Sequence, residues 1–203
     1  MSITHRSSAR AVASEVASAL EEAGLRAVLS GGGCASIYTA GMYQSVDLDF
    51  IIQGPGTQKQ LDQAMASIGF LRRQTQYFHS DSRYYVEFPP GPLGIGADYR
   101  IEPVEVRSRG RKLLMLSPTD SCRDRLAGFF HWNDRQGLEV AVRIAARRPV
   151  DIGKIRVWSE QENALPRFGI FLEELKRYRR RSRRQGRNTG RRRRAGGVSR
   201  RLR

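Results

Sequence analysis

Apolar residues first recur at helical spacing. Val12, Val16 and Leu20 repeat every four positions, while Glu15, Glu21 and Glu22 fall on the outward side. Ser7 or Ser8 stands where such a helix is capped, and Gly24 where it ends. The period then shortens. Ala27, Val28 and Leu29 read as a buried strand, and three glycines, Gly31, Gly32 and Gly33, open a short helix over 34–42. Over 46–52 strict alternation predicts a second strand, with Val46, Leu48 and Phe50 turned to a core and Asp47 and Asp49 sharing the other face.

Downstream, Gly54-Pro55-Gly56 breaks the chain and Thr57 caps a helix to Ile68 with Leu61, Met65 and Ile68 inward. Residues 70–78 read as a strand or strand pair, and 83–88 as another by its β-branched and aromatic content. Pro89, Pro90 and Pro92 end that strand. Two more strands are expected at 101–106 and 112–116, joined by a turn at 108–110. Ser117-Pro118-Thr119-Asp120 then places a cap, a first-turn proline and an acid at the third position. From there to 164 the period is helical, with a break between Pro149 and Gly153, and a last helix is expected over 168–178. Strands first and helices last imply an α+β chain: a mixed β-sheet with flanking helices over 1–116, a C-terminal helical bundle over 117–178, and a tail over 179–203. No internal repeat is visible.

Length and charge refine this picture. A chain of 203 residues accommodates one ordinary domain with a small helical annex. Of 36 Lys and Arg, fifteen fall in 176–203, which holds no Asp or Glu, so almost all of the net charge of +16 belongs to the end of the chain. A low-complexity run this basic cannot bury a core and repels itself, so disorder is expected from 179 onward. Arg179, Arg180, Arg181, Arg183, Arg184, Arg191, Arg192, Arg193 and Arg194 are candidate contacts to a nucleic acid, offering phosphate attraction with little aromatic base readout.

Two cysteines, Cys34 and Cys122, make neither a disulfide framework nor a zinc site, which fits a reducing compartment. His5, His79 and His131 do not cluster. No apolar run approaches the roughly 18 residues of a membrane span, and the polar N-terminus is no secretory signal, so a cytoplasmic protein is expected.

The candidate chemistry sits around the glycines. A strand that runs into glycines at a helix start offers free backbone N–H groups to an anion. Two carboxylates about 7 Å apart along the next strand are hard oxygen ligands of the kind that hold Mg²⁺ in phosphoryl transfer. Cys34 reads as a small buried filler, since no histidine is near in sequence to activate it.

Gly-Gly followed by Asp47-Leu48-Asp49 resembles the signature of nucleotidyltransferases of the DNA-polymerase-beta type. Ser45 and the overall size are most similar to the AbiEii/AbiGii toxin-type branch, over about residues 10–160. The resemblance implies an enzyme that moves a nucleoside monophosphate from an NTP to an acceptor, with Mg²⁺ as cofactor. The acceptor it suggests is an RNA 3′ end such as that of tRNA, with an antitoxin protein as a further partner, while a protein hydroxyl or a small molecule fits the core motif equally well. It assigns metal binding and catalysis to Asp47 and Asp49, the triphosphate cradle to Gly32 and Gly33, and a triphosphate contact to Arg123 or Arg125. The alternative for the two arginines is a solvated ion-pair network on a helix surface.

Such a site needs a third carboxylate, for catalysis and as a metal ligand, on a neighbouring strand and on the same face. Glu87 is the choice among Glu87, Asp98, Glu102 and Glu105, because it stands in the most strand-like stretch of the region. Asp98 follows glycines, Glu102 precedes a proline, and Glu105 alternates like a solvent-facing residue. Glutamate here departs from the aspartate usual in the family, which keeps open a second reading: a catalytically inactive relative that binds nucleic acid or a partner. Trp132 and Trp158 are expected in the core or at helix contacts.

Overall fold

The computed structural model describes residues 3–108 and 110–195, with side chains through Arg184. The first helix, α1 (Ala9–Glu22), is capped by the Ser8 hydroxyl, which accepts from the Ala11 amide. Strand β1 (Arg26–Ser30) leads without a loop into α2 (Gly31–Tyr38), and β2 (Asp47–Gln53) follows. Next come α3 (Gln58–Ser67), β3 (Leu71–Arg73), β4 (Gln76–Phe78) and β5 (Tyr85–Glu87). The hairpin β6 (Val104–Ser108) and β7 (Arg111–Met115) closes the sheet, and the helices α4 (Pro118–Trp132), α5 (Arg135–Arg147), α6 (Ile152–Gln161) and α7 (Leu165–Ala195) complete the chain.

The strands form one mixed sheet in the order β3-β4-β5-β2-β1-β7-β6. The central β2 pairs antiparallel with β1 and parallel with β5. This is the expected α+β architecture, strands early and helices late. The core takes alternate residues of the central strands, Val28, Leu48, Phe50 and Val86, all without solvent exposure. Their neighbours Asp47, Asp49, Tyr85 and Glu87 are half-buried on the other face. Period two along each strand thus separates core from candidate site.

Local chemistry explains the element ends. Thr57 and Gln60 form a reciprocal capping box at α3. Ser117 caps α4, with Pro118 in its first turn and its hydroxyl accepting from the Asp120 amide. The α4 helix stops at Asn133, whose left-handed backbone (φ 57°) turns the chain into α5.

Three local expectations change. Val46 precedes β2 and is 54% exposed instead of entering the core. Trp132, at the end of α4, is 78% exposed, whereas Trp158 is buried as expected. The short second helix begins at Gly31, three residues early, because glycines allow α2 to start against β2 itself. At the other end, the boundary expected at 178 coincides with no break: α7 continues through the arginines to Ala195. Arginine has high helix propensity, and Arg179 is tied back, donating to the Ala145 carbonyl of α5 at 2.9 Å. The side chains of Arg191, Arg192, Arg193 and Arg194, and all of 196–203, lie outside the described residues.

Candidate active site

Four segments converge where β1 ends. In the register of β1 and β2, Ser30 lies opposite Asp49; in that of β2 and β5, Asp47 lies opposite Tyr85 and Asp49 opposite Glu87. Asp47, Asp49 and Glu87 therefore share one face of two adjacent strands, as the alternation requires. Ser45 donates its hydroxyl to the Asp47 carboxylate, and Gln76 of β4 donates its amide to Glu87.

The glycines have two roles. Any side chain at Gly31, whose φ is +61°, would run into the Asp49 carboxylate. A Cβ at Gly33 would come within 2.8 Å of Leu48 Cδ2 and 2.9 Å of the Asp47 carbonyl, and one at Gly32 within 3.1 Å of the Tyr43 hydroxyl. Without side chains, the first turn of α2 lies directly on β2, beside the carboxylates. Ser30, the N-cap, makes no side-chain hydrogen bond to that turn. Its orphan N–H groups and the positive end of the helix stand free to meet an anion.

Burial first, and then the Asp47 and Glu87 charges, push the Asp49 carboxyl up from 3.8 to about 7, with Arg125 pulling the other way. Arg125, on α4, binds Asp124 through both Nε (3.0 Å) and Nη2 (2.7 Å). The Tyr85 hydroxyl is also raised, by burial and then by Asp47, Glu87 and Asp49. Among the described residues one arginine, Arg125, offsets charge at Asp49, against the carboxylates of Asp47, Glu87 and Asp124.

No family model matches the sequence, and no curated protein matches it. Among solved structures, an antigenic nucleotidyltransferase-like protein from Paracoccidioides brasiliensis superposes with a TM-score of 0.54 at 14% identity, over 70% of this chain and 77% of that one. The fold is nucleotidyltransferase-like. Two structures of the antibiotic-resistance factor ANT(2″)-Ia, one in solution and one with adenylyl-2″-tobramycin, match at TM-scores of 0.45 and 0.44 with 14% and 13% identity. They cover 82% and 79% of this chain and 94% of each neighbour.

Within this nucleotidyltransferase-like fold, Asp47, Asp49, Glu87, Gly32, Gly33 and Arg125 come together and Arg123 does not. Arg123 and Arg125 are two apart on a helix and so leave it on opposite sides. Arg123 is fully buried, its Nη1 2.8 Å from Asp120 and its Nη2 2.7 Å from Asp98. Its guanidinium lies over the Trp158 ring at 5.0 Å, and Lys154 reaches the same Asp120 at 3.1 Å. That cluster fastens the loop between β5 and β6 to α4 and α6, so Arg123 is a buried tie and not a free phosphate contact. Asp98, a rejected third carboxylate, is half of this tie, and Glu105 is exposed on β6.

Two residues of the site escaped the sequence reading. Tyr43 lies beside Gly32, in the loop between α2 and β2, and the Asp124 charge acts on Asp49. Asp124 adjoins the arginine singled out on α4, the one local signal for it. Tyr43 had none, since its loop is placed by long-range contacts: Arg143 donates to the Met42 carbonyl at 2.5 Å and Arg148 to the Tyr38 carbonyl at 3.2 Å.

The carboxylates fit a divalent cation by their chemistry. Among the described residues no three His, Cys, Asp or Glu side chains converge as a ready-made metal cage. Mg²⁺ is commonly held by one or two carboxylates together with substrate phosphates, so a half-built, negatively charged site is what it would complete.

Proposed function

We propose that the protein is a Mg²⁺-dependent nucleotidyltransferase that moves NMP from an NTP to an acceptor hydroxyl. The observation that carries this reading is the row Ser30, Asp49, Glu87 across β1, β2 and β5, with the uncapped first turn of α2 at one end. Asp47 and Asp49 would hold the metal, which when bound offsets charge on the phosphate oxygens. The amides of Gly32 and Gly33 would cradle the β- and γ-phosphates, and Arg125 would offset their charge. Glu87 would accept the proton of the acceptor hydroxyl. As that oxygen bonds to the α-phosphorus, the bond from the α-phosphorus to the bridging oxygen breaks and pyrophosphate leaves. Ser45 and Gln76 orient Asp47 and Glu87 by hydrogen bonds.

For the acceptor we favour an RNA 3′ end, as in the AbiEii/AbiGii toxin-type enzymes that the motif resembles, with an antitoxin as a further possible partner. Support comes from the arginines of α7, Arg180, Arg181, Arg183 and Arg184, which are exposed. Incubation with labelled NTPs, Mg²⁺ and total cellular RNA tests the proposal: label should enter RNA in the wild type and not in Asp47→Ala.

A second reading, a nucleotidyltransferase-like binding protein without turnover, is favoured by the engagement of Glu87 with Gln76. It predicts that NTP and Mg²⁺ together raise the melting temperature while no label is transferred.

A further inference from the structure

Register places two rows of side chains side by side on the outer face of the sheet, both ending at the carboxylates. Leu71 pairs with Phe78 across β3 and β4, the Phe78 and Tyr85 rings meet across β4 and β5 with centroids 5.5 Å apart, and Tyr85 pairs with Asp47. Parallel to this apolar row runs a polar one: Arg73 opposite Gln76, Gln76 opposite Glu87, Glu87 opposite Asp49. Leu71 is 66% exposed, Phe78 and Tyr85 are half-exposed, and the Arg73 guanidinium stands over the Phe78 ring at 5.7 Å.

Position separates this face from the triphosphate. The glycines and the first turn of α2 follow β1 and lie on β2, whereas β5, β4 and β3 extend from the edge of β2 that faces away from β1. An NTP seated on α2 leaves the rows to whatever brings the acceptor hydroxyl to Glu87.

We propose that this face is the acceptor platform, and that it takes the unpaired 3′ end of a nucleic-acid strand by stacking its last bases on Tyr85 and Phe78. The inference rests on the transferase reading for its place in the reaction, and its recognition chemistry is separate. Two neighbouring aromatic rings, tilted by 31° to each other, suit bases of any sequence, and the rings supply the attraction. Arg73 beside the row supplies a positive charge for the backbone phosphate. A saturated sugar, or a serine or threonine hydroxyl, brings no π-face to place there.

Quenching of a terminal fluorescent base tests the platform without NTP, Mg²⁺ or turnover. The full-length protein is titrated with a short RNA ending in 3′ 2-aminopurine. Wild type should quench the fluorescence. The double variant Tyr85→Leu, Phe78→Leu should lose most of the quenching and about tenfold in affinity. The ring-keeping pair Tyr85→Phe, Phe78→Tyr should retain both. Should the leucine pair melt early, Leu71→Glu, at an exposed position, serves instead, its charge repelling the strand and weakening the quenching.

Equal quenching by wild type and leucine variant overturns the platform, whether or not label transfer is observed. Loss of quenching when unlabelled NTP is added alone also overturns it, since the face would then hold the nucleotide's own base. A platform variant that quenches normally beside an active wild type leaves the transferase standing; normal wild-type quenching with no transfer under any condition fails the transferase alone.

Discussion

Asp49 of β2 and Glu87 of β5 lie directly opposite each other in a parallel pair, the one position in that register where two carboxylates meet. Neighbouring strands are about 4.8 Å apart, so this pairing concentrates negative charge at the end of the sheet. Burial first, then the Asp47 charge, and then this pairing push the Asp49 carboxyl up to about 7. The same concentration is what a cation bound with a triphosphate would relieve.

Substituting either aspartate should remove activity without removing the fold. Asp47→Ala and Asp49→Ala should each lower the rate of transfer by about 10²-fold or more, while circular dichroism stays native and the melting temperature does not fall well below wild type. Both side chains lie on the half-exposed face and not in the core. Transfer near the wild-type rate in either variant would remove the metal reading.

The raised Asp49 carboxyl has a sign that can be checked in the metal-free protein. Its folded value, about 7, lies above its ordinary 3.8, so its contribution is fully present below pH 4 and lost as pH rises through 7. Asp49→Asn removes the titration. The variant should melt with wild type at pH 4 and above it at pH 8, and Mg²⁺ with NTP should narrow the gap at pH 8. A constant difference between the two melting curves over pH 4–8 would contradict the assignment.

Local signals made most of this architecture readable. Capping at Ser8, Thr57 and Ser117, alternation in β2 and the proline break after β5 depend on neighbours in sequence, and each marks an element present in the fold. Which way Glu87 points along its own strand was readable for the same reason, and the register of β2 and β5 sets it opposite Asp49. Arg123 and Arg125 were not separable, because two charged residues on a helix look alike until the packing partners are known. Asp98, 25 residues away, and Trp158, 35 residues away, decide that Arg123 is buried. Trp132 went the other way: its type suggests burial, and among the described residues no element covers the end of α4 where it sits.

The arginines of α7 should govern attraction to nucleic acid and leave the chemistry alone. Ending the chain after Arg179 keeps the bond to Ala145 and removes the exposed charges beyond it. For single strands the salt slope is about −0.7 per phosphate neutralised, so the truncated protein should show a clearly flatter dependence of RNA affinity on salt. Transfer to a saturating acceptor should persist. An unchanged slope would make the helix end a bystander.

Arg123 and Arg125 should fail in opposite ways when replaced. Arg123 has both terminal nitrogens bound to carboxylates and no exposure, so Arg123→Ala leaves Asp98 and Asp120 with half their compensation inside the protein. Breaking a buried pair from one side costs about 3–5 kcal/mol, enough for a large drop in melting temperature. Lys154, which also reaches Asp120, offsets part of it. Arg125 is 24% exposed and its one hydrogen-bond partner, Asp124, is equally exposed, so Arg125→Ala should change stability little. It removes the one positive group acting on Asp49, and with it the attraction for the triphosphate. The apparent affinity for NTP should fall about tenfold while the melting temperature holds, the loss of one charge-assisted contact being of order 1.5–3 kcal/mol. Thermal melts and NTP titrations of the two variants, run together, check both halves. Equal effects of the two substitutions on NTP affinity at matched stability would mean that the α4 arginines do not divide the work in this way.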